Sequence, residues 1–265
     1  MSGTGSFADL KTRISSAIVM AVVGIAAIWA GGIWLLALLA VVAGLMLWEL
    51  IRMLDPTLTQ SKSILLALVG GAAVFRVGFD TSAISVSSLL LAPVIGLVLL
   101  KKDRTLFAVY GMGILFAVAG LFWIRAGAGL NWTIWLVLVV IATDIGGYFF
   151  GRILGGPKIL PVISPKKTWS GTLGGWALAI CVGAGFMVFS GAGPIILGLS
   201  LVTAIASQAG DVAESAIKRH TGIKDSSNLI PGHGGFLDRF DALITAALLV
   251  LIIGTLLGLP ASGMA

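Results

Sequence analysis

The chain has 265 residues, 58% of them hydrophobic and 11% charged, with 36 glycines, one cysteine and a mean hydropathy of +1.09. Soluble domains carry about 25% charged residues, so a water-soluble monomer is excluded, and the hydrophobicity excludes a disordered chain. A single cysteine, Cys181, excludes an internal disulfide framework and a cysteine-built zinc site, while the net charge of +6 follows from membrane topology and anionic head groups without a nucleic-acid partner.

At roughly 20 apolar residues per span, the chain has room for about nine membrane helices. Apolar runs predict them near residues 14–30, 33–51, 63–79, 83–100, 106–124, 131–150, 172–190, 194–215 and 241–260. The runs are continuous and do not alternate, so the expected fold class is all-α and polytopic rather than a β-barrel. Asp9 in the leading segment, and the next apolar run starting almost at once at Ile33, favour a retained first span over a cleaved signal peptide. With a cytosolic N-terminus, only Arg76 and Arg125 of the 17 lysines and arginines fall on the far side, leaving fifteen inside. Asn131-Trp132-Thr133 fits a glycosylation sequon but abuts a span, and Cys181 is expected in small-residue packing within the seventh span.

Residues 1–130 read as a membrane scaffold of about five helices, nearly free of intramembrane polar groups except Glu49. Residues 131–265 read as a catalytic region of about four helices with two polar cytosolic loops, 152–171 and 216–240. This half sets Asp144, Asp211, Glu214, Asp238 and Asp241 in or against apolar helices. Ionised groups at membrane depth cost about 2.5–3.5 kcal/mol on insertion scales and usually face a partner or a hydrated cavity.

Four segments carry the polar chemistry. Thr143-Asp144-Ile145-Gly146-Gly147 runs on to Gly151-Arg152, and Asp144 is expected to line a cavity. The spacings Gly147/Gly151, Gly151/Gly155 and Gly171/Gly175 suit close helix packing. Ser164-Pro165-Lys166-Lys167-Thr168-Trp169-Ser170 puts two lysines and three hydroxyls before the seventh span, as a phosphate cradle or as topology markers. As a helix, Gln208, Asp211, Glu214, Ser215 and Lys218 share one face, with Arg219 and His220 following; intrahelical pairing with Lys218 is the plain alternative. Lys224-Asp225-Ser226-Ser227 leads to the glycine-rich Pro231-Gly232-His233-Gly234-Gly235, then Asp238, Arg239 and Asp241. His233 suits a loop hydrogen-bonding role. Hard carboxylates without histidine or cysteine neighbours suit magnesium with phosphate co-ligands. From the residues alone, a membrane enzyme acting on phosphates and an ion-coupled carrier both remain open.

Ser215 with Lys218-Arg219, then Lys224-Asp225, then Pro231-Gly-His-Gly-Gly235-Phe-Leu-Asp238-Arg239-Phe-Asp241 resembles the signature of the phosphatidate cytidylyltransferases, the CDP-diacylglycerol synthases. The blocks Asp144–Arg152 and Ser164–Thr168, and Leu10-Lys11-Thr12-Arg13, are similar to that family's other segments, so the resemblance covers most of the chain. Ser170 stands where the family commonly has an acidic residue.

The resemblance implies conversion of CTP and phosphatidic acid to CDP-diacylglycerol and pyrophosphate, with Mg2+ as a metal pair. It implies Asp211 and Asp238 as catalytic metal ligands, with Lys167 and Arg219 also catalytic. It implies Ser215, Lys218 and Arg239 around the substrate phosphates, and the polar segments themselves add Ser164, Lys166, His233 and Asp144 as expected substrate-binding residues. It further implies a bacterial cytoplasmic membrane with the site facing the cytosol, and the glycine-spaced helices would allow a homodimer. A cytidylyltransferase for another lipid phosphate and a cation-coupled transporter are the alternatives. A CDP-lipid phosphotransferase is disfavoured because Val212, not glycine, follows Asp211.

Overall fold

The computed structural model describes residues 4–256. In chain order its helices are α1 (Thr4–Ala30), α2 (Gly32–Leu54), α3 (Gln60–Val77), α4 (Ala83–Ser87), α5 (Leu91–Leu99), α6 (Arg104–Trp123), α7 (Leu130–Ile153), α8 (Trp169–Ser190), α9 (Ile195–Thr221) and α10 (Leu237–Leu256). A short antiparallel hairpin, β1 (Lys158–Leu160) and β2 (Ser164–Thr168), lies between α7 and α8. The protein is an all-α polytopic membrane protein: among the described residues, eight helices are long and apolar enough to cross a bilayer. The end of the expected ninth span, beyond Leu256, lies outside the described residues.

The expected span at 83–100 differs. Ala83–Leu99 is a shorter apolar stretch, broken by a tight turn at Ser88–Leu90 between α4 and α5. Two causes lie in the sequence. The hydroxyls of Ser87 and Ser88 donate to the carbonyls of Ile84 and Ser85, and Pro93 has no amide hydrogen to give. Two other expectations also change. The helix expected to stop near 215 continues through Thr221, and the loop at 152–171 contains the hairpin. Cys181 is exposed on α8 rather than packed inside.

The chain forms two compact units. The first holds the residues up to Phe122 together with His220–Phe240. Its core is α2, whose Leu35, Leu36, Met46, Leu47, Leu50 and Ile51 are almost fully buried. Helix α3 crosses α2 closely: a Cβ on Gly71 would stand 2.7 Å from the Ala40 carbonyl oxygen. Buried Asp55 closes the end of α2 by accepting from the Lys101 amide at 2.7 Å and from the amide of Thr57 at 3.1 Å. Burial pushes this carboxyl up, but the hydrogen bonds from Thr57, Lys101 and Lys102 outweigh it and hold it below the usual carboxylate value.

The second unit holds Trp123–Arg219 and the part of α10 from Asp241 onward. Its spine is the seam between α7 and α8. A Cβ on Gly146 would stand 2.8 Å from the Gly174 carbonyl oxygen, one on Gly175 2.7 Å from that of Thr143, and one on Gly171 2.5 Å from that of Gly147. Glycine at these positions lets the two backbones touch, as the small-residue spacing predicts. Gly155 does not join the seam. It and Gly156 adopt φ of +62° and +106°, the left-handed turn that carries the chain from α7 into β1. Buried Trp135 on α7 donates its indole N–H to Ser200 on α9 at 3.0 Å, and its ring stacks edge-on with Trp132.

Candidate active site

The second unit contains a pocket of about 440 Å³ at the end of the α7–α8 seam. Helix α7 supplies Thr143, Asp144, Tyr148 and Arg152, the hairpin Lys158, Lys166, Lys167 and Thr168, and α9 Gln208 and Asp211. Lys158, Lys166, Lys167 and Arg152 thus set four cations against the two carboxylates of Asp144 and Asp211. A surplus of positive charge over carboxylates in one recess suits a polyanion such as a polyphosphate.

Local structure explains how these groups arrive there. The left-handed turn at Gly155-Gly156 folds the chain back as a hairpin, pairing Lys158 with Thr168. Thr168 then caps α8 by accepting from the Gly171 amide at 3.2 Å, while the Trp169 amide donates to the Pro157 carbonyl at 3.1 Å. Two of the first three amides of α8 are therefore spent inside the protein, so the lysines, not the helix start, supply the pocket's positive charge. Ser170 donates to the Gly155 carbonyl and lies beside Thr168, fixing the turn against the helix.

Lys167 links the hairpin to α9. Its ammonium lies 2.6 Å from an Asp211 carboxylate oxygen and donates to the Gln208 carbonyl at 3.3 Å. Both side chains are partly open, at 23% and 37%, so an incoming phosphate can reach this pair. Ser215 donates to the other Asp211 oxygen at 3.3 Å. Gln208 is itself held by the Trp176 indole N–H at 3.0 Å. On the opposite flank, Arg152 donates to the Tyr148 hydroxyl at 2.8 Å.

Not every residue singled out in the sequence lines this pocket. Asp144, Lys166, Lys167 and Asp211 do. Ser215 acts on it through Asp211. Lys218 makes the intrahelical pair, 2.5 Å from buried Glu214. Arg219 is exposed and donates to the Ile163 carbonyl, beside Ser164 at the start of β2. Asp238, Arg239 and His233 belong to the first unit. There Asp238 accepts at one oxygen from the Ser226 amide (2.9 Å), the Ser226 hydroxyl (2.8 Å) and the Gly235 amide (2.8 Å). Arg239 donates to the His233 carbonyl at 3.0 Å, and the His233 ring lies 2.8 Å from the Ser16 hydroxyl on α1. His233 thus has the loop hydrogen-bonding geometry expected of it.

Sequence reasoning passed over Lys158, Arg152, Tyr148 and Thr172 as pocket residues. The two cations looked like topology markers, which any basic residue beside a span resembles.

The carboxylates present were tested against magnesium. Among the described residues, no group of three or more His, Cys, Asp or Glu side chains converges into a protein-built metal cage. Magnesium needs no such cage, since it keeps waters and substrate phosphates beside one or two carboxylates. Asp211, partly open and in a pocket with Asp144, fits that description.

Fold and pocket together define a polytopic helical membrane protein with a basic, carboxylate-bearing recess of phosphate-binding chemistry. The model of the cytidylyltransferase family matches residues 11–257, and the chain belongs to that family. It is 48% identical over 129 residues to a phosphatidate cytidylyltransferase of Brucella suis biovar 1 (strain 1330), covering 48% of each chain. It is 41% identical over 117 residues to a phosphatidate cytidylyltransferase of Staphylococcus aureus (strain COL), covering 43% of this chain and 45% of that protein. These matches span about half the length of the relatives.

Proposed function

We propose that this protein is a membrane nucleotidyltransferase that converts CTP and phosphatidic acid to CDP-diacylglycerol and pyrophosphate. The observation that carries this reading is the recess in which Lys158, Lys166, Lys167 and Arg152 surround Asp211 and Asp144. Membership of the cytidylyltransferase family supports the nucleotide half, and the similarity to phosphatidate cytidylyltransferases supports the lipid half. The proposed setting is a bacterial cytoplasmic membrane with the recess on the cytosolic side, supported by the lysine and arginine distribution.

In this reading a phosphatidate phosphate oxygen attacks the α-phosphorus of CTP. The bond from that phosphorus to the oxygen bridging to the β-phosphorus breaks, and pyrophosphate leaves. Both reactants are anions, so the first task of the protein is to neutralise them. Lys166, Lys158 and Arg152 hold the triphosphate by charge. Lys167 exchanges part of its contact with Asp211 for a phosphate oxygen. Asp144 and Asp211 orient these cations. The phosphate nucleophile is already deprotonated near neutral pH, so no side chain need remove a proton. Arg219 and Ser164 are assigned to the substrate at the hairpin edge, and Ser215 and Lys218 to the α9 face.

Magnesium, when bound, would supply charge stabilisation to the reacting phosphates. In the second unit Asp211 would hold it; Asp238 is the other metal ligand that the resemblance implies. His233 and Arg239 belong to the same loop as Asp238 and are assigned to substrate contact.

The test is incorporation of labelled CTP into organic-soluble lipid by the purified protein, with and without phosphatidic acid and with and without magnesium. Label transfer that requires both supports the reading. Transfer without phosphatidic acid, or onto other lipid phosphates in preference, would replace the acceptor. No transfer under any condition would refute it.

A further inference from the structure

We propose that Glu49, near the C-terminal end of the apolar helix α2, is the positioning residue for the loop that carries Asp238, Arg239 and His233. The inference rests on the proposed function in assigning that loop a part in turnover, and it goes beyond it in naming what holds the loop.

Glu49 is fully buried, yet two backbone amides and two serine hydroxyls, one of them shared with Asp238, meet its carboxylate. One oxygen accepts from the Ser227 hydroxyl at 2.6 Å and the Phe236 amide at 2.9 Å. The other accepts from the Leu237 amide at 2.7 Å and the Ser226 hydroxyl at 3.2 Å. All of these donors belong to one loop, 177 to 188 residues away in sequence. Phe236 and Leu237 lie where α10 starts, and the leading amides of a helix have no carbonyl of their own to bond. A carboxylate from a different helix therefore does here what a capping side chain ordinarily does, and it sits at the positive end of the helix dipole.

The link to Asp238 is direct. The single hydrogen of the Ser226 hydroxyl is shared between Asp238 at 2.8 Å and Glu49 at 3.2 Å, and the Ser226 amide donates to Asp238. Gly235, next to Phe236, donates to the same Asp238 oxygen. A Cβ on Gly235 would meet the Ser226 hydroxyl and Glu49, so the seam admits no side chain. Gly234, at φ +83°, brings the chain round to this contact. A displacement of Glu49 is thus passed through one serine and two backbone amides to Asp238. A buried carboxyl in an apolar helix is costly, and the amides and hydroxyls of this segment are the return contact that makes it tolerable.

Glu49→Gln tests the proposal. Whichever oxygen becomes an amide nitrogen, it then faces a backbone N–H, donor against donor, while the serine hydroxyl beside it can turn to accept. The expected result is a rise of about tenfold or more in amide exchange at Phe236 and Leu237 in detergent micelles. Turnover of labelled CTP should fall about tenfold, with the CTP KM within about twofold of wild type. Glu49→Asp, which keeps both acceptor oxygens, should restore part of the protection and part of the turnover. Unchanged exchange in Glu49→Gln overturns the proposal, and so does raised exchange with unchanged turnover. Should Glu49→Gln not accumulate in membranes, Ser227→Ala takes its place. That change withdraws one hydroxyl and leaves both backbone contacts, and it should raise exchange at Phe236 and lower turnover by about threefold each; wild-type values there overturn the proposal. Exchange is read without substrate, so a wild-type protein that transfers no label refutes the proposed reaction and leaves the anchoring of the loop to be judged by exchange alone.

Discussion

Two groups of carboxylates in this protein have opposite surroundings. In the second unit, Asp211 is partly open, paired with Lys167 and Ser215, and faces a recess lined by further cations. In the first unit, Glu49 is fully buried and its oxygens take two backbone amides and the Ser227 hydroxyl, one Asp238 oxygen takes two backbone amides, and the Ser226 hydroxyl is shared between the two carboxylates. An open carboxylate with a mobile ammonium partner can exchange that partner for a ligand at low cost, whereas one saturated by backbone amides is held in place and holds the backbone in turn. The same functional group thus offers an exchangeable contact in one place and a fixed framework in the other.

The largest effect expected from breaking this contrast is that of Asp211→Asn. It should lower label transfer from CTP to lipid by roughly 100-fold or more while elution on size exclusion stays that of wild type. Near-normal transfer would remove Asp211 from the reaction. Asp238→Asn should also abolish transfer, but with a signature that Asp211→Asn lacks: faster amide exchange at Ser226 and Gly235, whose amides it holds. Equal exchange in the two variants would erase the distinction between the regions.

Lys167→Ala should lower kcat/KM for CTP by about tenfold to 100-fold, since it removes the cation nearest Asp211. Unchanged kinetics would make it a topology lysine. Gly171→Ala tests the seam beneath the pocket, because its Cβ would stand 2.5 Å from the Gly147 carbonyl oxygen. A loss of about 1–3 kcal/mol, read as a lower Tm in detergent, is expected. His233→Ala should be smallest, within about threefold in turnover, since its ring meets the Ser16 hydroxyl at the rim of the loop. A collapse of kcat there would move His233 into the chemistry.

The membrane architecture was legible because a bilayer sets a minimum length for any apolar helix, and most runs in this chain meet it. Asp144 and Asp211 were legible for the converse reason, since a polar group at membrane depth needs an explanation, and Lys166 and Lys167 stood out as a lysine pair among hydroxyls just before a span. The hairpin was not legible. Its strands are short, and Pro161 and Pro165 interrupt any period-two pattern. The break in Ala83–Leu99 depended on serines folding back on their own backbone, which an apolar count does not register. Glu49 stood out as an exception, but its partners lie at positions 226–237, and no local pattern in the sequence joins the two. Lys158 and Arg152 were hidden because a pocket cation and a topology cation read identically in one dimension.

The central claim, that CTP is taken up at the Lys167–Asp211 recess, is tested most directly by equilibrium binding of labelled CTP to the purified wild-type protein and to Asp211→Asn, each with and without magnesium. The account predicts saturable binding by wild type that magnesium strengthens, and binding by Asp211→Asn weakened about tenfold with the magnesium effect gone. Equal CTP affinity in the two proteins, with the same response to magnesium, would contradict it.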